Sequence, residues 1–161
     1  MKLAFTLSAL ALLSLSAAPA FAQCAPVPTA DGDTVTCSGI DSDGFSSAFK
    51  NLTINVQPGA SVSGTAPGIV VSGTGATINN DGTIASTGGG GSAEGIDGRN
   101  GLTVNNTGTI SSLNSRAIDA ENRNNVSIVN SGTITASNKA IRNQNGSSGY
   151  LEPVLFTEHV C

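Results

Sequence analysis

The stretch "VNNTGTI" at 104–110 has two near copies, "INNDGTI" at 78–84 and "IVNSGTI" at 128–134. A phrase that returns at offsets of 26 and 24 residues marks a chain built from stacked units, and this constrains the fold more than any single motif. Registering the chain on the phrase aligns four blocks, "LTINVQPGASVSGTAPGIVV", "ATINNDGTIASTGGGGSAEGID", "LTVNNTGTISSLNSRAID" and "NVSIVNSGTITASNKAIR". Four apolar columns result: Ile54, Ala76, Leu102, Val126; Val56, Ile78, Val104, Ile128; Val62, Ile84, Ile110, Ile134; and Ile69, Ile96, Ile118, Ile141. Within a block, apolar residues alternate with polar ones over two or three positions before a polar turn, which is the period of short strands. Asn, Gly, Ser and Thr fill the gaps and disfavour helix. The predicted fold is all-β, a right-handed parallel β-helix of about four coils in which each column is an inward ladder of like side chains. Hairpins of an antiparallel sheet also use Asn-x-Gly turns, but they have no reason to keep identical residues in register over whole blocks.

On this reading the phrase recurs because every coil makes the same corner. Asn80, Asn106 and Asn130 are predicted to stack there and bond amide to amide between coils. Gly82, Gly108 and Gly132 are predicted to supply a backbone turn with positive φ. The interval between the third and fourth columns lengthens in the second block, where "TGGGGSAEG" at 87–95 reads as a flexible bulge. Such an insert is either neutral or a binding loop, since solenoids accept both at a corner.

The two ends differ from the middle. Lys2, the apolar run Leu3–Leu15 and the small-x-small site Ala20-Phe21-Ala22 make residues 1–22 a secretory signal peptide. Phe21 and Gln23 stand where a lipoprotein signal has Leu and a small residue, so Cys24 is not read as a lipidation site. Residues 23–51 read as an N-terminal cap or partial coil carrying Phe45 and Phe49, and residues 52–146 as the repeats. Residues 147–161 are a divergent tail with the only Tyr, the only His and the last Cys. That tail is either an unusual cap or the product of a disrupted reading frame. Cys24 and Cys37 are predicted to pair in an oxidising compartment, a crosslink that stabilises by about 3 kcal/mol.

Composition narrows the chemistry. Seven basic residues stand against eleven acidic ones, which excludes a nucleic-acid groove dependent on a basic stripe. Aromatic residues are scarce and Trp is absent, so the core is expected to be Ile, Val, Leu and Ala in thin layers, and no aromatic platform for a sugar is predicted. Asp97, Asp119 and Arg142 directly follow the fourth column and should share one outer face. Carboxylates beside an arginine can move protons in a polysaccharide lyase or hydrolase; they are also ordinary solvated turn residues. His159 is the sole histidine and lies in the tail, so no Ser-His-Asp site can form. No metal set and no cofactor site is predicted.

The signal peptide, "DGDTVTCSGIDSDGF", "LTINVQPGASV" and the repeated "NNxGTI" with "AID" resemble the start of an autotransporter passenger domain, of the kind seen in Gram-negative alphaproteobacteria. The resemblance covers residues 1 to about 145. It implies export by the Sec machinery, passage through the outer membrane by a C-terminal translocator barrel, and a surface or adhesive role, with a host surface or glycan as partner. No segment matches the barrel, so the expected location is the periplasm, or the cell surface if a translocator completes the chain. The readings to separate are a non-enzymatic passenger fragment, a carbohydrate-active β-helix and a remnant of a disrupted gene. Self-association through an open last edge is a further expectation.

Overall fold

The computed structural model describes residues 24–120, 123–143, 148–151 and 156–158. Residues 1–23, which include the predicted signal peptide, and His159 and Cys161 lie outside them. The described residues contain strands, turns and no helix.

The strands follow one another in threes. After β1 (Cys24–Ala25) the first rung is β2 (Thr34–Cys37), β3 (Ile40–Asp41) and β4 (Phe45–Ser47). The next is β5 (Thr53–Val56), β6 (Ser61–Gly64) and β7 (Ile69–Val71). Then come β8 (Thr77–Asn80), β9 (Thr83–Ser86) and β10 (Ile96–Asp97), and β11 (Thr103–Asn106), β12 (Thr109–Ser112) and β13 (Ile118–Asp119). The last full rung is β14 (Val126–Asn130), β15 (Thr133–Ala136) and β16 (Ile141–Arg142), followed by β17 (Ser148–Leu151) and β18 (Phe156–Glu158). Equivalent strands stack into three sheets: A, in order β1-β2-β5-β8-β11-β14-β17; B, β3-β6-β9-β12-β15-β18; and C, β4-β7-β10-β13-β16. Every pairing is parallel except β1 with β2. The result is a parallel β-solenoid, as the repeat predicts.

The interior is a set of ladders. Val35, Ile54, Ile78, Val104 and Ile128 are in register on sheet A, and Val62, Ile84, Ile110 and Ile134 on sheet B. Phe45, Ile69, Ile96 and Ile118 stack on sheet C and continue to the partly buried Ile141. Apart from Ile141 these side chains are buried, each contributing roughly 1.5–3 kcal/mol of transfer free energy. Outward positions between them hold mostly Thr, Ser and Asn. β-Branched Thr suits a pleated, half-buried face.

The coils depart from the expected pattern in several places. In the first repeat the register on sheet A differs by two residues from the predicted columns, which align Ile54 with Ala76 and Val56 with Ile78: Ile54 pairs with Ile78 and Val56 with Asn80. The cause is the turn Gln57-Pro58-Gly59-Ala60, with Gly59 at φ 79° and Ala60 N donating to Gln57 O at 2.9 Å. It adds two residues to a corner that Asp81-Gly82 makes more tightly. The cap is not a partial coil, because β2, β3 and β4 pair in register with β5, β6 and β7. Nor do the described strands of the tail leave the repeat: β17 pairs in parallel with β14 and β18 with β15.

The corner glycines also depart from the prediction. Gly82, Gly108 and Gly132 are not among the residues with positive φ. They are glycine because the corners stack backbone on backbone. A Cβ on Gly108 would lie 2.1 Å from Gly82 O, and one on Gly132 would lie 2.1 Å from Gly108 O. The positive φ that recurs from rung to rung is at the corner that enters sheet A, at Gly32, Asn51, Gly75, Gly101 and Asn125, with φ from 54° to 85°. Asn tolerates the left-handed region better than other side chains, so it takes the place of Gly at two of these positions, 51 and 125.

Candidate functional site

Three outer surfaces are candidates, one per sheet. On sheet A the column Thr34, Thr53, Thr77, Thr103, Ser127 runs beside Thr36, Asn55, Asn79, Asn105, Val129. Asn79 Nδ2 donates to Asn55 Oδ1 and Asn105 Nδ2 to Asn79 Oδ1, each at 2.8 Å. The sequence reading does not include this outer amide ladder, although two of its members, Asn79 and Asn105, directly precede the predicted Asn80 and Asn106.

The predicted inner ladder lies one residue further on. Asn80 Nδ2 donates to Asn106 Oδ1 and Asn106 Nδ2 to Asn130 Oδ1, both at 2.6 Å, inside the corner between sheets A and B. The same amides also donate to corner carbonyls: Asn80 to Thr109 O, Asn106 to Gly108 O and Thr133 O, and Asn130 to Gly132 O. Asn80 Oδ1 is buried without a partner, because the next position down the column is Val56. The inner ladder therefore fastens corners. It is not exposed to a ligand.

Sheet B presents Ser61, Thr83, Thr109, Thr133 beside Ser63, Ala85, Ser111, Thr135. Along its margin toward sheet C runs a shallow groove of about 490 Å³, lined by Ser, Thr and Ala with the exposed Leu113 at its rim. None of these four columns on sheets A and B carries a charge.

The charges gather at sheet C. Asp97, Asp119 and Arg142 occupy equivalent places on consecutive rungs. Arg142 Nε donates to Asp119 Oδ1 at 2.9 Å and Nη2 to Asp119 Oδ2 at 2.5 Å, the planar fork that guanidinium and carboxylate favour. Asp97 instead pairs sideways with Arg99 at 2.6 Å. Arg116 Nη1 lies 3.7 Å from Asp119 Oδ2 and 3.0 Å from Oε1 of the buried Glu94.

Glu94 closes the insert that was expected to be a flexible bulge. Asn114 Nδ2 donates to Gly88 O at 2.8 Å, Ser115 Oγ to Gly91 O at 3.1 Å, and Arg116 Nη1 to Gly91 O at 2.9 Å. The third repeat thus latches the insert along its length. Among the glycines of the insert, Gly89, Gly90 and Gly91 have open space where a Cβ would lie, while Gly88 and Gly95 are packed against backbone.

At the first rung, Cys24 and Cys37 form a disulfide with S–S 2.00 Å. Beside it is a small hollow of about 200 Å³ lined by Val27, Pro28, Asp41, Asp43 and Phe45. Burial, and secondly a side-chain hydrogen bond with Asp43, pushes the Asp41 carboxyl above the ordinary carboxylate range. Backbone N–H donation from Thr29 and then Ala30 holds the Asp33 carboxyl below it. Among the described residues no group of three His, Cys, Asp or Glu side chains is placed to share a metal ion. No family model, no curated protein and no solved structure matches this chain.

Proposed function

We propose that this chain is a non-enzymatic β-solenoid module of the autotransporter-passenger kind, exported through the Sec machinery to serve as surface structure or in adhesion. One observation carries the reading: two adjoining outer faces, on sheets A and B, repeat uncharged Thr, Ser and Asn side chains rung after rung. A repeating neutral array offers many weak contacts, which suits attachment to a repetitive host surface or glycan through multivalency. The carboxylates that a glycan-cleaving enzyme would need are engaged otherwise. Asp119 has an Arg142 nitrogen on each oxygen, and Glu94 holds the insert.

The test is attachment of the exported protein, immobilised on beads, to a panel of glycans and to host cells. Asn79→Asp with Asn105→Asp, which charges sheet A, should weaken attachment while the Asp119→Asn variant still attaches. Turnover of a polysaccharide that Asp119→Asn abolishes would replace this reading with that of a carbohydrate-active β-helix.

A further inference from the structure

Among the described strands, β1 alone runs antiparallel to its neighbour, and it covers only part of one edge. Its two residues lie opposite Cys37 and Thr36. Thr53 N and Gln57 N donate across to Asp33 O and Cys37 O, both at 3.0 Å. By alternation, the peptide groups of Thr34 and Thr36 face the other way, toward β1 and beyond it. No described strand lies opposite Thr34. β1 is held by its two-residue ladder with β2, by the Cys24–Cys37 disulfide, by the burial of Cys24 and by a long hydrogen bond of 3.4 Å from Cys24 N to Asp41 Oδ2, and of these the disulfide is the covalent one.

An edge of unpaired backbone groups is a template for another strand. Here the edge sequence Thr34-Val35-Thr36 is uncharged and β-branched, and β1 demonstrates that an antiparallel strand fits beside it. Its surroundings are acidic. Residues 24–51 contain Asp31, Asp33, Asp41 and Asp43 against one cation, Lys50. Asp31 and Asp43 are exposed. A second copy of the chain would bring an identical acidic rim to the edge and be repelled.

We infer that β1 is a redox-controlled cover: with the disulfide reduced, the edge Thr34–Cys37 takes up an extended peptide strand flanked by Lys or Arg. Main-chain hydrogen bonds supply the affinity and the acidic rim selects the flanks, as in other cases of strand addition. The opening step balances with a dithiol as reductant. Two electrons and two protons pass to the Cys24–Cys37 bond, giving two thiols, and the dithiol closes to its own disulfide.

Residue-resolved amide exchange on the exported protein tests this, in a Cys161→Ser background so that a single cysteine pair remains. The probes are two synthetic peptides of alternating Thr and Val, one flanked by lysines and one by glutamates. Reduction, or Cys24→Ser, should speed exchange at Thr36 by about tenfold or more as the cover leaves. The lysine-flanked peptide should then restore protection at Thr34 and Thr36, and the glutamate-flanked one should not. Thr34→Pro, which removes an N–H that faces the open edge, should abolish that protection and leave the circular dichroism unchanged. Unchanged Thr36 exchange after reduction would overturn the proposal. So would equal protection by both peptides, or protection by neither. The exchange measurements on the unsubstituted edge decide the matter even if Thr34→Pro fails to fold.

Discussion

The same substitution at two neighbouring positions, Asn106→Val and Asn105→Val, separates the inner amide ladder from the outer one. Valine fits the inner column without a new shape, since Val56 already occupies it two rungs earlier. Asn106 accepts from Asn80 Nδ2 and donates to Asn130 Oδ1, each at 2.6 Å, and all three side chains are buried. Removing its amide strands Asn130 Oδ1. Asn80 Nδ2 keeps its second acceptor, Thr109 O at 3.1 Å. A buried polar group left without a partner costs about 1–3 kcal/mol, and the weakened corner contacts to Gly108 O and Thr133 O add to it. The added apolar burial returns about 1 kcal/mol, so the net loss should be about 2 kcal/mol. Asn105→Val removes one exposed bond of 2.8 Å to Asn79, whose lost partners water replaces. Val129 already stands next in that column, so the change should stay within about 0.5 kcal/mol. Urea unfolding of the oxidised protein, followed by circular dichroism, reads both. A second substitution, Asn130→Val, removes the stranded acceptor, so the double variant should lose less than the sum of the singles. Equal losses from Asn105→Val and Asn106→Val, or a strictly additive double variant, would refute the account of the inner ladder.

Gly108→Ala places a methyl 2.1 Å from Gly82 O and should cost about 3 kcal/mol, whereas Gly101→Asn, at a corner where Asn51 and Asn125 already adopt positive φ, should cost under about 1 kcal/mol; thermal unfolding compares them. Ile110→Asp buries a charge in a fully enclosed ladder and should be severely destabilising, by about 4 kcal/mol or more, while Thr109→Asp on the outer face should cost far less by the same measurement. The raised Asp41 carboxyl means that, between the ordinary carboxylate pKa and its own, the folded chain binds more protons than the unfolded one. Its contribution to stability therefore falls as pH rises through that window. Urea midpoints measured across the acid range should lose this slope in Asp41→Asn. Asp33, with its lowered pKa, works in the opposite sense, losing its contribution as pH falls through its own value.

The repeat made much of the fold legible. Ile84, Ile110 and Ile134 share a register with nothing inserted between Asn and Ile in their corners, so those columns and the inner amide ladder follow from spacing alone. Where the first corner carries Gln57-Pro58-Gly59-Ala60, spacing misleads by two residues, and only strand pairing reveals it. The positive-φ column was hidden because two residue types share one conformational task, Gly at 32, 75 and 101 and Asn at 51 and 125. The clamp of Asn114, Ser115 and Arg116 on the insert was illegible for another reason. Its partners lie over 20 residues apart in turns without periodicity, and no local pattern announces a contact of that kind. The disulfide partners were legible as a pair; the edge strand they fasten was not, because two residues carry no strand signal.

The inner ladder ends on the unpartnered carbonyl of Asn80, and that end effect gives the stack an arithmetic of length. Each amide after the first adds one bond, while the penalty for the terminal carbonyl is incurred once, whatever the number of rungs. Growth by whole rungs resembles propagation after nucleation: an extra unit placed between Asn106 and Asn130 would add a bond and create no new end. Shortening works in reverse, since a ladder cut to two amides keeps its orphan and loses half its bonds. A chain on this plan should vary over evolution by duplicating or deleting entire repeats, with insertions inside a repeat confined to corners that the ladders do not cross, as the insert before Glu94 already is.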